Sequence, residues 1–321
     1  MSRLKCIVLD DYQGAAKADG SWKRLGDSVD LVFMSHHVEH DGELISALRD
    51  ANMVVVMRER TPLPAHILEQ LPELKLIVTS GMRNTSIDQA AAAARGIVVC
   101  GTASESAPPA ELTWALLLAL ARHLGEERDA MRSNGPWQSS VGADLEGRTL
   151  GILGLGKIGK RVCRVAKAFG MQVLAWSPNL DEKRAAAEGA ILASSKEVLF
   201  AESDFVTLHL VLSERTRGIV GRPELAAMQP HALLVNTSRA GLVDREALLD
   251  ALMTRSIAGA ALDVHDHEPL PADDPFRVLP NVLASPHLGY VTQRNYAAYF
   301  GQAVEDIEAW LAGTPIRVLN N

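Results

Sequence analysis

Three polar side chains in the last third of the chain have the chemistry to move a proton and to bind an anion. Arg239, Glu268 and His287 each follow a short apolar run of the kind that forms a buried strand. Histidine titrates near pH 6.5, so it can serve as an acid or a base near neutrality. Arginine can bind a carboxylate through two parallel hydrogen bonds. Taken singly, Arg239 could be a surface arginine and His287 a structural histidine. Together they are candidates for an acid/base and carboxylate-binding site.

A glycine motif precedes these residues. Gly154-x-Gly156-x-x-Gly159 lies between an apolar run, Thr149 to Leu153, and an amphipathic run, Lys160 to Phe169. Between a strand and a helix, such glycines permit a tight turn and bring a pyrophosphate close to the helix N-terminus. The sequence therefore predicts a dinucleotide-binding turn, formed by Gly154, Gly156, Lys157, Ile158 and Gly159.

The residues that follow bear on which dinucleotide binds. Folds selective for NAD usually have Asp or Glu about 20 residues after the glycines, where it binds the ribose 2′-hydroxyl. Here that position is Ser177, followed by Pro178 and Asn179. Ser177 and Asn179 could bind a hydroxyl, and no carboxylate repels a 2′-phosphate. Since no arginine follows immediately, both NAD and NADP stay open, with a slight preference for NADP.

The composition restricts the class of protein. With 321 residues the chain is long enough for two domains, and its net charge of -7 disfavours nucleic acid or an anionic membrane as a partner. The basic N-terminus has too short an apolar run for a signal peptide, and no run approaches the ~20 residues of a membrane span. These features favour a cytoplasmic protein that acts on a small molecule.

Cysteine and histidine spacing gives no sign of a metal site or a disulfide framework. Cys6, Cys100 and Cys163 are too few and too scattered, and each is expected to be a small buried hydrophobic residue. His265 and His267 lie two residues apart, but no further ligands stand at metal-site spacings. We therefore predict that no metal is bound.

Apolar runs alternate with helix-like segments twice along the chain, first from Cys6 to about Val99 and again from Leu150. This alternation predicts an α/β protein with two parallel sheets. Pro108 and Pro109 suit the first turn of a long connecting helix. Apolar residues spaced three and four apart predict a second long helix over 292–312, and 316–319 is predicted to be a strand that returns to the first domain.

The order and spacing of these motifs carry a family resemblance over nearly the whole chain. The motifs are the glycine turn, Asn236-Thr237-Ser238-Arg239-x-Gly241, Leu262-Asp263-Val264 through Glu268-Pro269, and Ser285-Pro286-His287-Leu288-Gly289. The chain resembles the D-isomer-specific 2-hydroxyacid dehydrogenases. This implies that His287 is the proton donor and acceptor, that Glu268 pairs with it, that Arg239 binds the substrate carboxylate and that Asp263 contacts the nicotinamide amide.

The resemblance also implies a domain organisation. Two Rossmann-like domains are expected, with an NAD(P)-binding domain over 103–287 inserted into a flavodoxin-like substrate domain made of 1–102 and 288–321. The long helix after Pro109 contributes to a homodimer in this family. In the substrate domain, a loop over 80–88 is expected to bind the substrate carboxylate through its backbone N–H groups.

Four residues outside the acid/base group are expected to contact the substrate. They are Arg58, Arg83, Asn84 and Tyr290. Arg83 stands where the family usually has glycine, so that either an extra cation favours a more acidic substrate or the side chain points to solvent.

The implied activity is reduction of a 2-oxo acid to the (R)-2-hydroxy acid by hydride transfer from NAD(P)H. Two alternatives share the fold. One is a dinucleotide-sensing, non-enzymatic protein like the family's corepressors, which can keep the same polar residues. The other is a formate- or phosphite-type dehydrogenase, although the formate enzymes have glutamine where this chain has Glu268.

Overall fold

The computed structural model describes residues 3–320, which form two compact units. Unit 1 comprises the described residues up to Glu105 together with those from Thr292 onward, and unit 2 comprises Ser106–Val291. Each unit has one sheet, and every ladder in both sheets is parallel. The prediction of an α/β protein with two parallel sheets is confirmed.

Helices and strands alternate along the described residues. The strands are β1 (Leu4–Val8), β2 (Val29–Phe33), β3 (Met53–Val56), β4 (Leu76–Thr79), β5 (Val98–Gly101), β6 (Thr149–Leu153), β7 (Gln172–Trp176), β8 (Ile191–Leu192), β9 (Phe205–Leu208), β10 (Leu233–Asn236), β11 (Gly259–Leu262) and β12 (Val282–Ala284). The α-helices are α1 (Ala15–Ala18), α2 (Asp41–Leu48), α3 (Ala65–Leu68), α4 (Gln89–Ala94), α5 (Ala107–Ala121), α6 (Leu124–Arg132), α7 (Lys157–Ala168), α8 (Glu182–Ala187), α9 (Lys196–Glu202), α10 (Arg222–Ala227), α11 (Arg245–Met253) and α12 (Gln293–Leu311).

Unit 1 has the strand order β2-β1-β3-β4-β5, which is the flavodoxin-like order. Every residue of β3 and β4 is buried, because helices cover both faces of a parallel sheet. The chain's last described residues lie along β5, where Val318 forms an antiparallel bridge with Cys100. The predicted strand at 316–319 is therefore a single bridge within an irregular segment.

Unit 2 has the order β12-β11-β10-β9-β6-β7-β8. The chain reverses direction across the sheet between β6 and β9, as in the Rossmann fold, where ligands bind at the carboxyl ends of the strands. The dinucleotide fold predicted from the glycine motif is confirmed. Strand β8 was not predicted, since its two residues are too short to show a pattern.

The two predicted long helices are present with small differences at their ends. Helix α5 begins at Ala107 with Pro108 and Pro109 in its first turn, and it stops before His123, whose backbone is left-handed at φ 51°. Helix α12 buries the apolar residues that are spaced three and four apart, namely Tyr296, Phe300, Val304 and Ile307. Leu311, in the last turn, continues this spacing but is exposed.

The three cysteines are free and buried, as predicted. Burial raises the pKa of Cys6 to about 12, so this thiol is neutral and packs as a hydrophobic residue. No helix within residues 3–320 is both long and apolar enough to cross a bilayer. The same residues contain no group of three or more side chains suited to holding a metal ion.

Candidate active site

The turn between β6 and α7 requires glycine at two positions. Gly154 has φ +107°, and a Cβ there would fall 2.7 Å from the carbonyl carbon of His209. At Gly159 a Cβ would overlap the Gly154 carbonyl oxygen. Gly156 is the N-cap of α7 and has open space beside its Cα. The turn therefore leaves room for a ligand at the first N–H groups of the helix.

A cleft of about 380 Å³ lies beside this turn, within the size range of small-molecule sites. Its lining residues are Gly154, Leu155, Gly156, Ser177, Pro178, Asn179, Arg184, His209, Leu210, Val211, Ser213, Arg215 and Thr216. The combination of open glycine backbone, helix N-terminus and cationic side chains fits a dinucleotide phosphate. The predicted residues Ser177 and Asn179 lie in this cleft, and Lys157 and Ile158 form the first turn of α7.

The three titratable side chains of this cleft were missed by sequence reasoning. Arg184 lies in α8, whereas Arg215 and His209 lie in the loop after β9. Burial lowers the pKa of His209 well below its ordinary value, so this imidazole is neutral. Their distance from the glycines varies with loop length, so a fixed-spacing motif could not find them.

At the carboxyl end of β11 and β12, His287 and Glu268 form a hydrogen-bonded pair. His287 Nδ1 lies 2.7 Å from Glu268 Oε2, and the backbone N–H of His265 donates to Glu268 Oε1 at 2.9 Å. Burial opposes ionisation of Glu268, but the hydrogen bond and charge of His287 outweigh it and hold the pKa of Glu268 below its ordinary value. An ionised Glu268 only accepts hydrogen bonds, so Nδ1 donates and Nε2 is left for proton transfer.

The backbone of His287 is left-handed, with φ 52°, which is an uncommon conformation for a residue with a side chain. Buried Asp263 holds the loop in this shape. Its Oδ1 accepts from Ser285 Oγ at 2.6 Å and from Leu288 N at 2.7 Å, and its Oδ2 accepts from Gly289 N at 2.8 Å. Asp263 therefore orients the loop that carries His287.

Two further side chains surround the pair. Tyr290 is buried, and its ring meets the His287 imidazole edge-on at 5.2 Å between centroids. His265 Nε2 lies 3.0 Å from the Ser285 carbonyl oxygen, linking the Glu268 loop to the His287 loop. These contacts restrict how far either loop can move independently.

Arg239 lies at the carboxyl end of β10, directly before a 3₁₀ turn over Ala240–Leu242. Its loop is fixed by Asn236, whose Nδ2 donates to the Arg239 carbonyl at 3.0 Å. The guanidinium also donates to the Ser238 carbonyl at 2.7 Å. Within unit 2, Arg239, Glu268 and His287 therefore all follow strands at the same edge of the sheet, as the sequence indicated.

In unit 1 the predicted substrate residues lie after β3 and β4. Arg58 packs over Gly81, where a Cβ would overlap its guanidinium. Asn84 is buried, and its amide donates to the Arg58 carbonyl at 2.6 Å and to Thr79 Oγ1 at 2.9 Å. Asn84 thus shapes the loop, whereas Arg83 is exposed and forms no ion pair within residues 3–320. Arg58 therefore contacts both Gly81 and Asn84.

A second polar cluster of unit 1 was not predicted. Asp10 lies two residues after the end of β1 and has a left-handed backbone at φ 56°. Its carboxylate accepts a hydrogen bond from Thr61 Oγ1 at 2.6 Å. His37 Nδ1 lies 3.0 Å from the same carboxylate, and this hydrogen bond raises the pKa of His37. In the sequence His37 had no evident companion, because Asp10 and Thr61 come from other parts of the chain.

The fold and the glycine turn define an α/β protein of the dinucleotide-binding class. The family model for the D-isomer specific 2-hydroxyacid dehydrogenase NAD-binding domain matches residues 114–289. The chain therefore belongs to the D-isomer-specific 2-hydroxyacid dehydrogenase family. The family resemblance inferred from the motifs is confirmed.

Three relatives illustrate this similarity. A D-3-phosphoglycerate dehydrogenase of Methanocaldococcus jannaschii is 37% identical over 84% of this chain and 52% of its own length, so the chain spans about half of that relative. A hydroxypyruvate reductase of Thermotoga maritima is 38% identical over 84% of this chain and 87% of its own. The solved structure of a phosphoglycerate oxidoreductase from Vibrio cholerae has 37% identity and a TM-score of 0.93, covering 98% of this chain and 100% of that one.

Proposed function

We propose that the protein interconverts a 2-oxo acid and the corresponding (R)-2-hydroxy acid with a nicotinamide dinucleotide. The hydrogen-bonded pair of His287 and Glu268, in the unit that carries the dinucleotide turn, is the observation that supports this most. The relatives named as phosphoglycerate dehydrogenase and hydroxypyruvate reductase act on acids of this class. We assign dinucleotide binding to unit 2.

The protein's own residues supply binding and proton transfer, and the bound nicotinamide supplies or accepts the hydride. His287 donates a proton from Nε2 to the carbonyl oxygen as the substrate is reduced. Glu268 keeps Nδ1 protonated and stabilises the imidazolium before the transfer. Arg239 binds the substrate carboxylate and polarises the carbonyl, which orients the reacting carbon.

Unit 1 by itself also carries groups that suit a carboxylate. In the Gly81–Ser86 loop the N–H groups of Gly81 and Ser86 are already bonded within unit 1, so residues 82–85 offer the backbone donors. Arg58, packed over Gly81, adds a cation. Tyr290 restrains the His287 ring by its edge-on contact. Asp263 positions the His287 loop in addition to any contact with the nicotinamide amide.

We propose NADP as the preferred cofactor. Ser177 stands at the end of β7, where an acidic side chain would select NAD, and no carboxylate lines the cleft among the described residues. Ser177 and Asn179 can bind a ribose hydroxyl as well, so that NAD is expected to bind more weakly rather than not at all.

Steady-state kinetics with a panel of 2-oxo acids and both reduced cofactors test the proposed function. Glyoxylate, hydroxypyruvate, pyruvate and bulkier acids should be tried, since Arg83 offers an additional cation for an acidic substrate. Saturable oxidation of NADPH with at least one acid is expected. Tight cofactor binding without turnover of any acid would instead favour the non-enzymatic, dinucleotide-sensing alternative.

We also propose that the protein is a homodimer. The segment after α6 exposes large apolar side chains, with Trp137 77% and Val141 94% exposed. A partner chain packed on this segment would bury both side chains, and apolar surface left exposed in one chain is often an interface in the oligomer. Light scattering coupled to size-exclusion chromatography should give twice the chain mass of 34.6 kDa, and a monomer at micromolar concentration would contradict the proposal.

A further inference from the structure

We propose that Arg184 and Arg215 bind the 2′-phosphate of NADP and thereby set the cofactor preference. The inference rests on the proposed use of a nicotinamide dinucleotide and assigns residues to one part of it. Both arginines line the cleft that also contains Gly156 and Ser177. They come from separate elements, α8 and the loop after β9, that converge on this cleft.

The cleft lies where the adenine-side ribose of a bound dinucleotide is expected. In this fold the pyrophosphate binds at the glycine turn, and the adenine-side ribose lies at the end of the following strand, which here is β7. Ser177 directly follows β7, so it marks where the 2′ substituent is recognised. The guanidinium of Arg184 donates to the carbonyl of Asn179 at 2.7 Å. This bond holds Arg184 beside the loop that contains Ser177.

Hydrogen bonds within the loop that carries Arg215 hold its shape. Thr216 Oγ1 donates to the Val211 carbonyl at 2.7 Å and accepts from Ser213 N at 2.8 Å. Within the part of the chain that the structure describes, Arg215 forms no hydrogen bond or ion pair through its side chain. Its charge is therefore available to a ligand in the cleft.

The charges of the lining residues favour an anion. The lining includes two arginines and, across residues 3–320, no Asp or Glu, while His209 is neutral. The acidic neighbours along the chain are Asp181, Glu182 and Glu214, which do not line the cleft. Asp181 is the N-cap of α8 and accepts from the backbone N–H of Arg184 at 2.8 Å. A 2′-phosphate would thus meet two guanidinium groups, whereas NAD offers only a hydroxyl.

Isothermal titration calorimetry with NADP⁺, NAD⁺ and 2′,5′-ADP tests this assignment without turnover. The variants are Arg184→Ala, Arg215→Ala and the double variant. Lys183→Ala and Arg217→Ala are matched controls, because each removes a neighbouring exposed cation that does not line the cleft. Retained NAD⁺ binding shows that a variant is folded.

We expect the parent protein to bind NADP⁺ at least about tenfold more tightly than NAD⁺. Each cleft variant should weaken NADP⁺ and 2′,5′-ADP binding about ten- to a hundredfold, as for lost hydrogen bonds to a charged group, and should leave NAD⁺ binding nearly unchanged. Both control variants should bind all three ligands nearly as the parent does. Equal affinity for the two dinucleotides, or equal losses in the cleft and control variants, would overturn the assignment. Oxo-acid reduction without 2′,5′-ADP binding would contradict this inference and the NADP preference but not the proposed reaction. Binding of 2′,5′-ADP without turnover would contradict only the proposed reaction.

Discussion

Two carboxylates of this protein, the partly buried Glu268 in unit 2 and the fully buried Asp306 in unit 1, each contact a nitrogen-bearing side chain, yet their pKa values shift in opposite directions. Glu268 bonds to His287 and is held ionised, with a pKa below its ordinary value. Asp306 bonds to Arg317 Nε at 2.9 Å, but burial raises the pKa of Asp306 to about 6. A neighbouring cation is thus not sufficient to lower the pKa of a carboxylate.

The difference lies in how the remaining oxygen atoms are satisfied. Both oxygens of Glu268 accept a hydrogen bond, from His287 and from the His265 backbone. In Asp306, which is wholly buried, Oδ2 has no hydrogen-bond partner within residues 3–320. Glu305 also pairs with Arg317 and raises the pKa of Asp306 further. At Glu268, hydrogen bonds to both oxygens offset the cost of desolvation, whereas at Asp306 the hydrogen bond to one oxygen does not.

The largest effect is expected from removing the proton donor. His287→Gln keeps a polar side chain of similar length but cannot take up and release a proton near neutrality. We expect kcat for 2-oxo acid reduction to fall by ~10² to 10⁴, as for loss of a general acid. Turnover by stopped-flow NADPH absorbance measures this, and near-normal turnover with dinucleotide affinity unchanged would remove His287 from the mechanism.

A smaller loss is expected when the charge of the partner is removed. The neutral amide of Glu268→Gln can still form hydrogen bonds to His287 and to the His265 backbone. It no longer stabilises an imidazolium at His287. We expect kcat to fall about ten- to a hundredfold with little change in KM, since the lost interaction supports proton transfer rather than binding. Steady-state kinetics of the variant beside wild type separate the two parameters, and a rise in KM at constant kcat would assign Glu268 to binding instead.

The stability of the same variant has a defined pH dependence. Because the folded pKa of Glu268 lies below its ordinary value of 4.5, its ionised form stabilises the wild-type fold above that pH, and this contribution is lost as the pH falls through the folded pKa. Chemical denaturation should therefore show wild type gaining stability relative to Glu268→Gln as the pH rises through this acidic range. A stability difference that does not vary with pH would mean that folding leaves the pKa of Glu268 unchanged.

Sequence reasoning succeeds at the Glu268 site and fails at the Asp306 site for a physical reason. Arg239, Glu268 and His287 each follow a strand, and parallel strands place their carboxyl ends at one edge of a sheet. No such rule relates Asp306 in α12 to Arg317 in the irregular tail. Their pairing depends on where the tail lies along β5, which a short apolar segment does not determine.

In the cofactor cleft, likewise, some residues could be predicted from the sequence and others could not. The glycines were found because the turn geometry imposes their spacing. Arg184 and Arg215 were missed because loop lengths, rather than a repeat, set their positions. Likewise, the buried contacts of Asn84 and the pairing of His37 with Asp10 join residues from different loops.

Breaking the ion pair between Arg317 and Asp306 should affect stability rather than turnover. Arg317→Gln removes the charged partner of Asp306 together with a bond to the Gln302 carbonyl. We expect the free energy of unfolding to fall by about 1 to 3 kcal/mol, as for buried groups left without a hydrogen bond. Urea denaturation at pH 7 measures the loss. Cofactor affinity should be unchanged, because Arg317 lies in unit 1 and the dinucleotide turn lies in unit 2.

The smallest effect, and the sharpest contrast with Glu268, is expected from Asp306→Asn. A raised folded pKa means that the native state holds its proton more tightly than the unfolded chain does. Wild type therefore loses stability as the pH rises from about 4 through 6, whereas Glu268 contributes in the opposite sense. The amide of the variant cannot ionise, so the variant should gain stability relative to wild type across that interval. Denaturation midpoints at several pH values measure the difference, with Glu305→Gln as a control that alters an adjacent carboxylate on the same helix. If wild type instead gained on the variant with rising pH, Asp306 would be ionised and stabilising in the fold, and its contrast with Glu268 would disappear.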